Sequence, residues 1–194
     1  MGWPPNLVFG LQMCAIFTCC VPMSMPQGHL VAFCSDLGIS PAHGAAMVSV
    51  LLGTAFVSRQ MWGAISDRIG GLYTMLIGSA CQAVGMAAFL LTQDEAGLFT
   101  VAALFGFGFS GLVPANILTS RELFAVDEAY WRMPTLLLCS GWGMATGGWL
   151  AGVLYDDFGF YAPAFAAGLG FNLLNFLLIG TLALRRHQTA PAVA

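Results

Sequence analysis

Six long apolar segments account for most of this sequence and restrict the structures that it can form. They cover residues 6–33, 42–65, 72–91, 97–119, 133–154 and 161–184. A helix of about 20 apolar residues crosses the roughly 30 Å hydrocarbon core of a bilayer. Charged residues make up only 8% of the chain, whereas about 25% is usual in soluble domains. We therefore predict an all-α integral membrane protein in which residues 1–194 form one domain of six transmembrane helices.

The charged residues are divided between the two sides of this six-helix arrangement. One side receives Arg68, Arg121, Arg132, Arg185 and Arg186. The opposite loops carry the acidic residues Asp36, Asp94, Glu95, Asp156 and Asp157, without arginine or lysine. Cytoplasmic loops of membrane proteins carry the excess of basic residues. We therefore expect both termini in the cytoplasm and the protein in the cell (inner) membrane.

The composition also excludes several kinds of site. The net charge is −3 and the sequence has no extended basic run, so it lacks the cations that neutralise a phosphate backbone. Cys19 and Cys20 are adjacent in a predicted helix and point about 100° apart, which does not suit a zinc site. We predict no nucleic-acid partner, no metal site, no cofactor and no catalytic residue.

A short pattern recurs in the second and fifth segments. Gly63, Asp67 and Gly70 have the GxxxDxxG spacing, and residues 152–159 repeat it 89 positions later. Three spans separate the two copies, so they face opposite sides of the membrane. This relation is typical of two three-helix units in inverted topology.

Arg59 is a permanent charge well inside a predicted span. It lies eight residues before Asp67, which is about 12 Å of helix. Two interpretations are open: the side chain snorkels to the interface, or its guanidinium faces a central cavity. In a cavity, the planar, bidentate guanidinium suits a carboxylate.

Other polar residues inside the spans are weaker candidates. Pro22 and Pro26 predict a kinked or broken first helix, and His29 follows them. Its imidazole either binds substrate or shuttles a proton, or it forms hydrogen bonds to the backbone as a structural residue. Gln60 and Asn116 are either pathway residues or partners in hydrogen bonds between helices.

The segment from Arg59 to Gly70 reads RxxxGxxxDRxG and resembles the loop motif of the major facilitator superfamily. In this form it is similar to the second half of the monocarboxylate transporter and oxalate:formate antiporter group. Residues 26–39, the FGFGFSG of residues 105–111 and residues 147–156 also look like that group. The resemblance covers nearly the whole chain and implies the C-terminal six-helix half of a fold that normally has twelve helices.

The resemblance implies secondary transport of a small organic anion, a monocarboxylate, by alternating access across the lipid bilayer. Arg59 then contacts the carboxylate, and Ser140 occupies the position where oxalate carriers have a lysine. With one cation, a monovalent anion fits better than a dianion. Gly63, Asp67, Arg68 and Gly70 form a conformational-switch loop, in which Asp67 pairs with a neighbouring helix in one state. The basic residues that usually follow this motif are replaced by Gly71 and Leu72.

Two other functions are compatible with the sequence. A six-helix half supplies only one wall of a transport pathway, so the chain is alternatively a non-transporting subunit that needs a second half or forms a homodimer. The GFSG of residues 108–111 is also compatible with an intramembrane serine protease. That reading lacks a histidine in the sixth span to act as the base.

Overall fold

Six helical segments long and apolar enough to cross a bilayer run through residues 2–189, which the computed structural model describes. They are α1 (Pro5–Asp36), α2 (Pro41–Ile69), α3 (Gly71–Leu91), α4 and α5 (Glu95–Phe109 and Leu112–Leu123, together the fourth span), α6 (Ala129–Phe158) and α7 (Ala162–Thr189). Most of these helices extend a few residues past the predicted apolar segments, because polar residues continue a helix beyond the hydrocarbon core. The predicted all-α, six-span architecture is confirmed.

The contacts between helices follow an approximate two-fold pattern. The most extensive ones join α1 to α6 and α7, α2 to α4, and α3 to α7 and α4. If spans one, two and three are exchanged with spans four, five and six, these contacts largely map onto one another. That is the arrangement expected of two three-helix units in inverted topology.

Both copies of the GxxxDxxG pattern end a helix at a glycine with positive φ. Gly70 ends α2 with φ of 84°, and Gly159 ends α6 with φ of 78°. Residues with a Cβ atom rarely adopt this conformation. The repeat therefore has a physical basis, because each unit needs a glycine to turn its second helix out of the membrane.

The closest approach between α1 and α6 occurs at two glycines. A Cβ atom built on Gly147 would lie 2.1 Å from the carbonyl oxygen of Val21, and one on Gly143 would lie 2.5 Å from that of Phe17. Small residues at such spacing let membrane helices pack backbone to backbone. The helix α1 itself continues through Pro22 and Pro26, so the first span, predicted to be kinked or broken, is not broken there.

Buried polar side chains fasten the outer helices α3 and α7 to the bundle. Asn172 donates to Oε1 of Gln82 at 2.6 Å, and Gln82 donates to the carbonyl oxygen of Cys19 at 3.2 Å. Asn175 donates to Oγ of Ser79 at 2.9 Å. Such hydrogen bonds between membrane helices contribute about 0.6 kcal/mol each.

The arginines and the acidic loops occupy opposite ends of the bundle. At the arginine-rich end, Arg132 is 1% exposed in the first turn of α6 and pairs with Glu128 at 2.9 Å. Its guanidinium carbon also lies 4.2 to 4.7 Å from the ring centres of Phe9, Phe124 and Trp131. The sequence places Arg132 in a loop, whereas the fold buries it among aromatic rings.

Candidate functional site

A cavity of about 760 Å³ lies among spans one, two, four and five, and α3 and α7 contribute no described residue to it. Its lining is mainly apolar. The polar residues in the lining are Gln27, Arg59, Ser110, Arg121 and Ser140. Among the described lining residues there is no aspartate or glutamate, so the two guanidinium groups give the cavity a positive charge. Ligand sites of this size are typically apolar with a few placed polar groups.

Arg59 reaches the cavity because one face of α2 points into it. Leu52, Ala55, Phe56 and Arg59 line the cavity, and their spacing of three, four and seven residues puts them on one face of a helix. Within residues 2–189, no carboxylate lies within ion-pair distance of Arg59. Of the two interpretations of the sequence, this position corresponds to a guanidinium that faces the cavity.

The fourth span is locally irregular beside Arg59, at two residues that keep helical backbone angles. Its two helices meet at Ser110 and Gly111, where Oγ of Ser110 lies 2.7 Å from Oγ of Ser58. The indole of Trp62 donates to the carbonyl oxygen of Phe107 at 2.7 Å. A Cβ atom on Gly111 would lie 2.5 Å from Trp62, so the glycine makes room for the indole.

Arg121 is a second cation in the cavity, although its place in the sequence predicts only a loop arginine. Pro114, Ile117, Leu118 and Arg121 line the cavity from α5 with the same three, four and seven spacing that α2 shows. The periodicity of this segment is the signal that predicts a cavity position for Arg121. The expectation of a single cation, which favoured a monovalent anion over a dianion, therefore leaves out Arg121.

The other predicted substrate contacts are dispersed. Ser140 lines the cavity and lies 3.2 Å from Sγ of Cys20. Asn116 is fully buried and donates to the carbonyl oxygen of Leu112 in its own helix. Gln60 is exposed on α2 but outside the cavity lining. The structure therefore brings together Arg59 and Ser140 and leaves Gln60 and Asn116 apart from them.

His29 also lies outside the cavity lining. Its Nδ1 is 3.2 Å from the hydroxyl of Tyr161, and its Nε2 is 2.9 Å from the carbonyl oxygen of Gly148. Both ring nitrogens thus have protein partners, near the acidic end of the bundle. These contacts correspond to the interpretation of His29 as a satisfied structural residue.

Glu122 contacts the end of the predicted switch loop, although its sequence position does not mark it as a site residue. Oε1 of Glu122 accepts a hydrogen bond of 3.1 Å from the backbone N–H of Gly71, and the same carboxylate pairs with Arg186. Asp67 and Arg68 are exposed, and no ion pair joins either of them to another described residue. In this conformation Glu122 connects the loop to α5 and α7.

The Ser110 of the GFSG segment has no described histidine partner. Its hydroxyl bonds Ser58 and the carbonyl oxygen of Phe107. His43 pairs with Glu95 at the acidic end, with 2.7 Å between Nδ1 and Oε1. The arrangement of a serine protease, in which a base lies within reach of the nucleophile, does not occur at Ser110.

Comparisons with known proteins point to one family. The sequence profile of the Major Facilitator Superfamily matches residues 8–194. Monocarboxylate transporter 13 of Rattus norvegicus is 28% identical over 165 residues, which are 81% of this chain and 37% of the relative. The Bos taurus protein of the same name is 27% identical over 81% of this chain and 38% of its own length. This chain therefore spans less than two fifths of the length of these relatives.

A solved structure shows the same fold. The crystal structure of the POT family transporter PepTSo superposes with a TM-score of 0.79 at 17% sequence identity, and the match covers 93% of this chain and 38% of that one. Six helices thus match a minority of a longer transporter chain, as expected of half of its fold. Because the family's sequence profile matches residues 8–194, nearly the whole chain, this six-helix protein belongs to the major facilitator superfamily.

Proposed function

We propose that this protein takes part in secondary transport of a small organic anion, a monocarboxylate, by alternating access. The observation that carries the proposal is Arg59, whose guanidinium borders an apolar cavity without a described carboxylate to neutralise it. Arg59 is exposed, so its charge is accessible, and a carboxylate in the cavity would bind it through two parallel hydrogen bonds. The names of the two monocarboxylate transporter relatives support the same class of substrate.

The surrounding residues suit a carboxylate with an apolar body. Ala55 and Phe56 adjoin Arg59 on the same helix face, and Met144 and Ser140 lie on the wall formed by α6. The apolar groups accommodate a hydrocarbon part, and the hydroxyl of Ser140 is a donor for a second polar group of the substrate. Rocking of this six-helix unit against the other wall of the pathway would open the cavity to either side.

The excess of arginine at one end of the bundle supports a cytoplasmic location for that end and for both termini, by the positive-inside rule. We propose the cell membrane as its location. The other wall of the pathway comes from a second six-helix half or from a second copy of this chain. A non-transporting subunit is the second candidate function, because the described helices line the cavity from one half of the fold only.

The test uses the purified 194-residue chain, because a carboxylate can bind at the wall of the pathway that this chain forms even where no transport occurs. Equilibrium binding of radiolabelled pyruvate is measured in detergent, with unlabelled lactate, benzoate and phenylpyruvate as competitors. Lactamide and benzamide are the matched neutral controls. We expect saturable binding that the carboxylates compete and the amides do not, since a guanidinium recognises the charge.

Binding that the amides compete equally well, or no binding of any carboxylate, would overturn the proposal. Uptake of the same label into proteoliposomes then separates the two candidate functions. Uptake by the chain alone assigns transport to a self-assembled pathway, whereas binding without uptake assigns it the role of a half that needs a partner.

A further inference from the structure

The two arginines of the cavity lie on different helices of its wall, Arg59 on α2 and Arg121 on α5. Each follows an apolar stripe at the same spacing, from Leu52 to Arg59 on α2 and from Pro114 to Arg121 on α5. Spans two and four run in the same direction, so both stripes point along the cavity toward the arginine-rich end. The cavity wall is therefore apolar along its length and carries two separate cations.

Contacts between α2 and the fourth span indicate how far apart the backbone positions of these two arginines lie along the bundle. Ser58 and Ser110 are level, since their hydroxyls are 2.7 Å apart. Gly70 is level with Glu122, whose Oε1 lies 3.4 Å from the position of a Cβ on Gly70. The backbone of Arg59 is thus near the level of the Ser58 pair, and that of Arg121 is about 15 Å further toward the arginine-rich end, at 1.5 Å of rise per residue.

Arg121 is not neutralised by the carboxylates next to it in the sequence. Glu122 pairs with Arg186 and accepts from Gly71, and Glu128 pairs with Arg132. In residues 2–189 no ion pair forms between Arg121 and an acidic side chain. Its charge is therefore available to an anion that enters from this end.

We propose that Arg121 is a second anion-binding residue, located at the mouth of the cavity, which a carboxylate contacts before it reaches Arg59 and again when it leaves toward the arginine-rich end. This inference rests on the proposed function. A separation of about three helix turns means that a small monocarboxylate contacts the two arginines in succession. A cation in a low-dielectric cleft raises the local concentration of anions and their association rate.

The two arginines then differ in what they require chemically. Arg59 holds the carboxylate through the planar fork of its guanidinium. Arg121 attracts the anion as a charge at the mouth, which lysine supplies equally well. Replacement of arginine by lysine therefore distinguishes the two roles.

The test measures association kinetics of pyruvate with the purified full chain by stopped-flow tryptophan fluorescence, over a series of KCl concentrations. In Arg121→Gln we expect association about tenfold slower than in the wild type and a weaker dependence on salt. The amplitude at saturation should be unchanged. Arg121→Lys should restore both the rate and its salt dependence.

Arg185→Gln is the matched control, because it removes one charge from the same end of the bundle outside the cavity. An Arg121→Gln protein that behaves like Arg185→Gln overturns the proposal. Loss of the binding amplitude in Arg121→Gln overturns it as well, because both arginines would then hold the anion together. Failure of the wild type to bind pyruvate contradicts the proposed function instead. Elution volume and melting temperature identify a variant that fails to fold, in which case Arg121→Met replaces Arg121→Gln as the neutral variant.

Discussion

Replacing Arg59 with lysine lowers the affinity for pyruvate by about tenfold or more, and replacing it with alanine lowers it by about 30-fold or more. Lysine keeps the charge but loses one of two charged hydrogen bonds, which contributes about 1.5 to 3 kcal/mol. Alanine removes both the charge and the hydrogen bonds, at a cost of about 2 to 5 kcal/mol. Equilibrium binding to the purified variants measures both effects.

The Arg59 variants should bind poorly without being unstable. In the described residues the side chain makes no ion pair that its removal would break. We therefore expect the melting temperatures of both variants to match that of the wild type. Arg185→Lys is the control for the chemical change, since Arg185 lies outside the cavity. Full affinity in Arg59→Lys would show that the planar fork has no role in binding.

Gly147→Ala is expected to destabilise the folded protein by about 3 kcal/mol, at the upper end of what overpacking costs. The new methyl group would lie 2.1 Å from the carbonyl oxygen of Val21 and 2.3 Å from Oγ of Ser24. Because the first of these is a backbone atom, α1 and α6 have to move apart, and both helices line the cavity. Reversible unfolding in mixed detergent, followed by tryptophan fluorescence, measures the free energy.

Gly148→Ala is the matched control for this substitution. A Cβ atom at Gly148 has no described heavy atom within 4 Å outside its own helix turn, and the carbonyl that accepts from His29 is retained. We expect this variant to unfold like the wild type or slightly later, since alanine favours helix. Equal stability of the two variants would mean that α1 and α6 are not in backbone contact at Gly147.

The architecture follows from features that act locally, which is why the sequence predicts it. Apolar segments of bilayer length specify the spans, and the charges of Arg68 and Asp94 assign the connections to their sides. The spacing of Gly63, Asp67 and Gly70 predicts the end of a helix, and the positive φ of Gly70 provides its reason. Arg59 is predictable as a candidate because a charge inside a span is costly wherever it points.

The features that the sequence does not predict depend on contacts between distant residues. His29 reads equally well as a ligand or a structural residue until the fold brings Tyr161, 132 positions away, to its ring. The sequence does not indicate that Glu122 bonds Gly71 and Arg186, because the fold alone brings these residues together. Arg121 is the exception, because the periodicity of α5 already indicates its position.

Chemical modification of the unaltered chain tests most directly whether Arg59 faces water and holds a carboxylate. Hydroxyphenylglyoxal reacts with arginine in water, and mass spectrometry of the digested protein reports the extent of reaction at each arginine. The account predicts that Arg59 is modified and that pyruvate protects it, while the reaction of Arg185 is unaffected by pyruvate. An Arg59 that stays unmodified, or that reacts at the same rate with and without pyruvate, would contradict it.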